Sequence, residues 1–460
     1  MMLEGRRISV VGLAASGKAA ARLALERGGE VHVSDLRTDT ATHASGAELR
    51  ALGAKVDLGE HPMERIAAAQ TVVVSPGIPP HAPVLRELSQ RSIRWISEPE
   101  FAFGFFDGSL IAVTGTNGKT TTAVLVAHLL QEDGQEVALG GNIGRTFGPP
   151  ASELALRGRS PHWYVVEMSS FQLAAIDSFR PDIGIVTNLA PDHLDWYESV
   201  ESYYADKANL FLNAQDDSQW VLNGDDPAVE ELAEGVPGRH FYFTEEPGGR
   251  AGSYVDRGVL TVEISGAPHP LIPAENLQLL GAHNVENALA ASATAWLAGA
   301  AVESIQRGLA SARSLPHRTE HVADIKGVRW INDSKATNVS AARSAISSFS
   351  GGDLVVLLGG KDKGEDFSPL EGPLVEAGAH VVAFGEAGPR ILRTLGDNVA
   401  VELLADDFER IIGIASERAG PHSTVLFSPA CSSFDMFDSY EQRGQKFKEI
   451  ACALLTEETN

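Results

Sequence analysis

The chain has 460 residues, more than one ordinary hydrophobic core serves, and its length predicts about three domains. It carries 37 basic against 61 acidic residues, a net charge of −24, with 43% hydrophobic and 21% charged residues. That balance is normal for a soluble globular protein and disfavours broad binding to nucleic acid or anionic membranes, while leaving room for a local basic pocket that takes phosphates. The two cysteines, Cys431 and Cys452, suggest neither a disulfide framework nor a zinc site. The first thirty residues hold Glu4, Arg6, Arg7, Arg22, Glu26 and Arg27 and no long apolar core. No run approaches the ~20 apolar residues of a membrane span. A soluble, cytoplasmic protein is expected.

In chain order, Arg7 to Gly12 opens a βαβ pattern, with a helix from about Ser16 to Arg27 and a strand from Glu30 to Ser34 ending at Asp35. A further strand, Thr71 to Ser75, runs into the sharp turn Pro76-Gly77-Ile78-Pro79-Pro80. This predicts a small doubly wound unit over residues 1–97 with its ligand at the strand ends. The turn Gly12-Leu13-Ala14-Ala15-Ser16-Gly17 approximates a dinucleotide fingerprint but carries Ala14 at the middle glycine, which is weak evidence for a dinucleotide. Glu98-Pro99 and the phenylalanines 101, 103, 105 and 106 mark a boundary.

The apolar run Leu110 to Val113 then reads as a buried strand, followed by Thr114-Gly115-Thr116-Asn117-Gly118-Lys119-Thr120 and a helical stretch from Thr121 to Leu130. A strand, a glycine-rich turn and a helix N-terminus gather backbone N–H groups around one point, which favours a phosphate. Lys119 supplies a charge for terminal phosphates, and the Thr120 hydroxyl suits Mg²⁺. Valine at position 113 replaces the first glycine of an eight-residue P-loop, so the loop is a shortened relative. This central unit is expected to continue to about residue 314, with strands at 163–168 and 183–188 and peripheral hairpins in the glycine-rich stretch 235–266. A last unit, residues 315–460, has strand candidates at 327–332, 353–358, 381–384 and 424–428 alternating with helical stretches. The expected fold class is therefore α/β, three domains each on a mostly parallel sheet flanked by helices.

Several residues stand where chemistry is expected. Glu167 ends a strand in the sheet that carries the phosphate loop, a place suited to holding Mg²⁺ on a nucleotide. The segment Thr187-Asn188-Leu189-Ala190-Pro191-Asp192-His193-Leu194-Asp195 leaves another strand, and His193 suits a metal or a phosphate with Asp192 and Asp195 orienting it. On spacing alone Lys207, beside Asp206 in the amphipathic stretch 199–211, reads as a solvated helix lysine in a local ion pair. Asn284 and Asn287 lie three apart on one helical face, which suits hydrogen bonds to a base edge as well as helix capping. Farther on, His317-Arg318, Asn332 to Asn338 and Gly359-Gly360-Lys361-Asp362-Lys363-Gly364 offer charged groups at strand ends. Together they supply cations around two separate anions.

Gly115 to Thr120, Glu167-Met168-Ser169-Ser170-Phe171-Gln172, His283-Asn284, His317-Arg318, Asn332 to Asn338 and Ser428 to Ser433 resemble the Mur ligases, the ATP-dependent amide-forming enzymes of peptidoglycan precursor synthesis. The resemblance runs in order from Val11 to about Gly444. Ser75 to Ile78, Gly140 to Gly144, Ser428 to Asp435 and Glu441 to Gly444 are most similar to the branch that adds D-glutamate. It implies a Rossmann-like first domain for a UDP substrate, a P-loop ATPase-like centre, and a Rossmann-like third domain for the amino acid. The implied reaction joins D-glutamate to UDP-N-acetylmuramoyl-L-alanine with ATP and Mg²⁺, two ions being expected, in a cytoplasmic monomer.

By the same resemblance, Ser16, Asp35, Arg37, Ser75 and Gly77 match UDP-substrate positions, with Leu36 where a threonine is familiar. Asn142 and His193 match positions near the substrate diphosphate and metal. Gly115, Thr116, Asn117, Gly118, Lys119, Thr120, Thr121 and Glu167 match the ATP–Mg²⁺ site, and Asn284, Asn287, Arg318 and Asp333 match nucleotide contacts. Lys207 matches a lysine carried as a carbamate, which would make it an anion able to join Thr120, Glu167 and His193 around metal. Lys335, Thr337, Lys363, Ser433 and Tyr440 match the amino-acid pocket, Tyr440 standing where phenylalanine is frequent.

The implied chemistry brings a substrate carboxylate to the ATP γ-phosphate, so Lys119 and Mg²⁺ offset the repulsion of two anions. An acyl phosphate then meets the glutamate amine, for which His193 is a candidate base, and domain closure keeps water out. A different acceptor, as in an L-alanine ligase or a folylpolyglutamate synthetase, shares the phosphate loop. A nucleotide-dependent switch would have no use for Glu167, Lys207 and His193 together. A dinucleotide oxidoreductase has only the first turn in its favour.

Overall fold

The structure, a computed structural model, describes residues 2–157, 160–193, 196–349, 353–404 and 407–456. Its first sheet is formed by β1 (Arg7–Val11), β2 (Glu30–Asp35), β3 (Lys55–Leu58), β4 (Thr71–Val74) and β5 (Ile96–Ser97), in the order β3-β2-β1-β4-β5. All its pairs are parallel. Residues 8–11 of β1 are buried without alternation, as expected where helices cover both faces of a parallel strand. Strand order reverses direction between β1 and β4, which opens a crevice at the carboxyl ends of these strands.

The second sheet holds β6 (Ser109–Thr114), β7 (Val137–Gly141), β8 (Trp163–Glu167), β9 (Ile183–Val186), β10 (Gln219–Asn223), β11 (Arg239–Thr244), β12 (Gly252–Asp256), β13 (Val259–Glu263) and β14 (His269–Pro273). From one edge the order is β14-β13-β12-β11-β10-β9-β6-β8-β7. Pairing is parallel from β7 through β12 and antiparallel across β12, β13 and β14. The stretch 235–266, expected as peripheral hairpins, therefore differs: β11 and β12 extend the parallel sheet, and only β12–β13 is a hairpin there. Phe241 and Phe243 of β11 are buried, so that strand belongs to the core. The hairpin turns at Arg257-Gly258, both with positive φ, the twist that two-residue hairpin loops favour.

The third sheet contains β15 (Glu320–Ile325), β16 (Val328–Asn332), β17 (Leu354–Gly359), β18 (His380–Phe384), β19 (Ala400–Leu403) and β20 (Thr424–Ala430), in the order β15-β16-β20-β17-β18-β19. Only β15 pairs antiparallel. β15 was not anticipated, because an edge strand that is mostly half-exposed shows no apolar run. The chain thus has three α/β domains, with mixed sheets in the second and third. The chain divides into two compact units, one of Met1–Leu189, Trp196–Pro273 and Asn287–Leu309, the other of Ala190–Asp195, Ala274–Glu286 and Ala310–Asn460. The first unit contains the first two sheets, and the second contains the third. Cys431 and Cys452 are free thiols, and no helix among the described residues is long and apolar enough to cross a membrane.

The segment at the predicted boundary is a buried helix, Glu98–Phe103. Glu100 accepts the backbone N–H groups of Asp177, Ser178 and Phe179, and Glu98 accepts the N–H of Ser152 at the start of a short helix. Burial pushes the fully enclosed Glu98 carboxyl up to about 7, against the pull of the Ser152 hydrogen bonds. A carboxyl raised above its unfolded value contributes stability that is complete below pH ~4.5 and is lost as the pH rises through about 7. Glu98→Gln is therefore expected to flatten the fall in stability between those limits by up to about 3 kcal/mol, read by urea unfolding at several pH values.

Candidate active site

Four adjacent parallel strands, β7, β8, β6 and β9, end along one edge of the second sheet. Register pairs Gly141 with Glu167, Val113 with Glu167, and Thr114 with Val186, so the segments that follow emerge side by side. β6 leads into Gly115–Gly118 and then the helix Lys119–Glu132, the arrangement that exposes N–H groups toward an anion. Gly115 and Gly118 have φ of +137° and +81°, a backbone open to glycine.

The loop is pinned from β9. Thr116 and Asn117 donate their N–H groups to the carbonyl and Oδ1 of Asn188, at 2.8 and 2.9 Å, and the Thr187 hydroxyl donates to the Asn117 carbonyl at 2.5 Å. Lys119 Nζ folds back on the carbonyls of Gly115 (3.0 Å) and Thr116 (2.7 Å), which holds its charge over the loop. Thr120 Oγ1 donates to Glu167 Oε2 at 2.7 Å, while Asn142 Nδ2 lies 3.5 Å from Glu167 Oε1. The neighbouring Thr121 is buried in the first turn of the helix. Asn287 packs on the same helix start: its Oδ1 accepts from the Thr122 hydroxyl at 3.1 Å, and a side chain at Gly118 would collide with it.

Lys207 departs from the solvated position expected from spacing. It is 1% exposed, donates to the Gly115 carbonyl at 2.6 Å and lies 4.5 Å from the centre of the Tyr203 ring. The adjacent Asp206 instead accepts a hydrogen bond from the Tyr197 hydroxyl. The helix Val200–Ala208 turns Tyr203 and Lys207, one turn apart, toward the loop. Thr120 and Glu167 offer a hydroxyl and a carboxylate, hard oxygen donors that suit Mg²⁺ completing its shell with phosphate and water. Among the described residues no group of three or more His, Cys, Asp and Glu side chains forms a metal-binding cluster.

At the carboxyl edge of the first sheet, β1, β2 and β4 deliver the predicted Ser16, Asp35, Arg37, Ser75 and Gly77 to the crevice at the order reversal. Asp35, 5% exposed, accepts the Leu13 N–H at 2.6 Å and a two-pronged contact from Arg37, at 3.1 and 2.8 Å. Burial raises that carboxyl, but the Arg37 and Leu13 hydrogen bonds outweigh it and hold it below its usual value. The helix Ala15–Glu26 has no side chain capping its N-terminus, and Ser16 stands in its first turn. Ser75 is buried directly after β4, Gly77 follows in the turn, and Leu36 is exposed.

The remaining predicted residues lie in the second unit. Asp333 follows β16 and accepts from the Ser428 hydroxyl (2.8 Å) and the Thr319 N–H (3.1 Å). Burial pushes its carboxyl up to about 7, against those hydrogen bonds and the charge of Arg318. Asn284 turns its amide to the Leu280 carbonyl at 2.7 Å, close to the residues it would cap. Lys335 Nζ sits 4.5 Å from the centre of the Tyr440 ring, and Ser433 is buried beside the Cys431–Ser432 carbonyls that Arg443 binds. Thr337 is half-buried in the same loop.

Lys363 is not the free cation expected of its loop. It contacts Asp192 Oδ1 at 2.9 Å and Glu365 Oε1 at 3.3 Å, and Asn338 Nδ2 donates to Asp192 Oδ2 at 2.9 Å. Burial raises the Asp192 carboxyl, but the Lys363 and His193 charges and the Asn338 hydrogen bond prevail and hold it far below the usual range. Asp192 touches His193 chiefly through the His193 backbone N–H, at 2.8 Å, with the His193 φ at +55°. Asp195 lies outside the described residues. Asp192→Asn removes one charge from this buried group and is expected to cost about 3 kcal/mol in urea unfolding. An unchanged unfolding curve would contradict that pairing.

Sequence reasoning missed the pinning role of Asn188, the packing of Tyr203 on Lys207, the pairing of Asp192 with Lys363 and the hydrogen bond of Asn338 to Asp192. The available signal was their position, polar residues directly after a buried strand or one turn from a site lysine.

Three family models match in order: the MurD-like N-terminal domain of Mur ligases over residues 6–97, the Mur ligase middle domain over 113–295, and the Mur ligase glutamate ligase domain over 317–431. A UDP-N-acetylmuramoylalanine--D-glutamate ligase of Acidobacterium capsulatum is 40% identical over 455 residues, covering 98% of this chain and 97% of that protein. One of the same name from Geobacillus kaustophilus is 39% identical over 447 residues, covering 96% and 97%. Among solved structures, a pseudomurein peptide ligase type C from Methanothermus fervidus shares the fold with a TM-score of 0.63 at 20% identity, covering 97% of this chain and 99% of that one. A UDP-N-acetylmuramate-alanine ligase from Thermotoga maritima does so with a TM-score of 0.60 at 19% identity, covering 97% and 99%. By sequence over nearly its whole length, the chain belongs to the Mur ligase family, with a MurD-like N-terminal domain.

Proposed function

We propose that the chain is an ATP-dependent ligase that joins D-glutamate to UDP-N-acetylmuramoyl-L-alanine, releasing ADP and phosphate, in cytoplasmic peptidoglycan precursor synthesis. The observation that carries this reading is the edge where Lys119, the Thr120–Glu167 pair, Asn142 and Lys207 converge on one phosphate loop, in a chain 40% identical to a D-glutamate ligase along nearly its whole length. We assign residues 1–97 to the UDP substrate, 98–314 to ATP and 315–460 to the amino acid, with Rossmann-like outer domains around a P-loop ATPase-like centre.

In this reading the loop N–H groups and Lys119 hold the ATP phosphates and lower the repulsion felt by an approaching carboxylate. Thr120 and Glu167 would hold Mg²⁺, which when bound neutralises phosphate charge. The N-terminal crevice fixes the UDP group through Asp35, Arg37, Ser16 and the Ser75–Gly77 turn, so the L-alanyl carboxylate is presented in line with the γ-phosphate. Carboxylate attack forms the acyl phosphate and frees ADP. The glutamate amine then attacks the acyl carbon, loses a proton and expels phosphate, leaving the amide. Asn142 and His193 are assigned to the substrate side, and His193 also to a second metal or the amine proton. Asn284, Asn287, Arg318 and Asp333 are assigned to the nucleotide, and Lys335, Thr337, Lys363, Ser433 and Tyr440 to glutamate.

Lys207 is assigned as a carbamate. Its ammonium would first lose one proton, and the free amine would then take up CO₂ and lose a second, exchanging a buried cation for an anion, while the one N–H that remains can still reach the Gly115 carbonyl. The test of the function is phosphate release with ATP, Mg²⁺ and UDP-N-acetylmuramoyl-L-alanine, comparing D-glutamate, L-glutamate, L-alanine and no amino acid. Release that depends on D-glutamate is expected; release with L-alanine alone, or none with any acceptor, would reject the reading.

A further inference from the structure

A cavity of about 160 Å³ lies in the first unit behind the turn that follows β4. Ile78, Leu85, Trp95, Phe171 and Ala175 give it apolar walls. Ser75 and Pro76, at the start of the turn assigned to the UDP substrate, also line it. A space of roughly 150 Å³ walled by apolar side chains holds one benzene ring, so the cavity has the size of a single ring.

Two polar features set the chemistry of an occupant. Ser97, 3% exposed, lines the cavity, and its buried Oγ has no hydrogen-bond partner among the described residues. Leaving such a hydroxyl unsatisfied costs free energy, which a ligand group that bonds it would recover. Asp206 also lines the cavity, half-buried, with Tyr197 donating to Oδ2 at 2.8 Å. Its sequence neighbour Lys207 is directed at the Gly115 carbonyl instead. A carboxylate set among Trp95, Phe171 and Tyr197 favours a cation, both by charge and by the faces of the rings. An anionic occupant meets Asp206 and a chain of net charge −24, and a neutral hydrocarbon leaves both polar groups unused.

We propose that this cavity is a binding site for a small arylalkylamine, its ring between Trp95 and Phe171 and its ammonium on Asp206. The Ser97 hydroxyl accepts from the same ammonium or donates to a ring substituent. The proposal does not rest on the ligase reading, and its failure would leave that reading untouched. Because the walls include Ser75 and the helix that carries Lys207, an occupant touches two segments that serve the proposed reaction.

The test titrates 4-fluorophenethylamine, and 4-fluorophenylethanol as its neutral match, into the full chain and follows fluorine NMR line shape. Saturable amine binding is expected, at least tenfold tighter than the alcohol. Asp206→Asn should remove that preference, and Ala175→Phe should weaken both ligands at least tenfold in a protein whose melting curve shows it folded. Should Ala175→Phe fail to fold, Ser97→Ala takes its place, with a loss of threefold or more in amine affinity expected. Absence of saturable binding, equal binding of amine and alcohol, or an Asp206→Asn protein that keeps the preference would each overturn the proposal.

Discussion

Glu167→Gln is expected to lower phosphate release by about a thousandfold while shifting stability by about 1 kcal/mol or less. The substitution keeps an oxygen that accepts from Thr120 Oγ1, now 2.7 Å from the carboxylate, and changes almost no volume. What it removes is the negative charge, together with the hard donor assigned to the metal. Glu167 is 3% exposed, so solvent does little to replace that charge. If Glu167 served only to orient Thr120, glutamine would restore nearly full turnover. Measuring turnover and the thermal midpoint on one preparation separates the two roles, and activity within tenfold of the parent protein would count against the assignment.

Gly115→Ala should act through the backbone. A Cβ there would sit 2.0 Å from the Thr187 hydroxyl and 3.0 Å from the Thr187 nitrogen, at a φ of +137° that side chains rarely adopt. The strain and the clash fall on one residue, so a loss of about 3 kcal/mol is expected in urea unfolding. The Gly115 carbonyl accepts from both Lys119 and Lys207, at 3.0 and 2.6 Å, so displacing it releases two lysines at once. Binding of ATP, followed by calorimetry, should therefore fall at least a hundredfold in whatever fraction stays folded. Affinity close to that of the parent protein would show that the loop tolerates a side chain.

These two positions also show what the sequence can carry. The strand, loop and helix around Gly115 are contiguous, so this strand–loop–helix was legible from the one stretch Leu110 to Leu130. The placement of Asp35, at the end of β2, and of Ser75, directly after β4, was legible in the same way. Lys207 was not legible from its neighbours, since its burial is made by Gly115 and Tyr203 through packing that local spacing does not encode. Lys363 is neutralised by Asp192, 171 residues away, and no pattern within the glycine loop announces that partner. β11 and β12 were misplaced for a similar reason. Glycine-rich, β-forming segments suit hairpins and sheet extension alike, and the buried faces of Phe241 and Phe243 decide between them. The family resemblance supplied what periodicity did not, by assigning roles to Lys207, Lys335 and Tyr440 that the isolated residues left open.

The proposed reaction is tested with UDP-N-acetylmuramoyl-L-alanine whose alanyl carboxylate is labelled by ¹⁸O, turned over with ATP, Mg²⁺ and D-glutamate. Activation through an acyl phosphate requires that the bond broken on amide formation lie between the acyl carbon and a former carboxylate oxygen. Each released phosphate is expected to carry one labelled oxygen and the product to have lost one, both read by mass spectrometry. Unlabelled phosphate, or phosphate released at the same rate without D-glutamate, would contradict it.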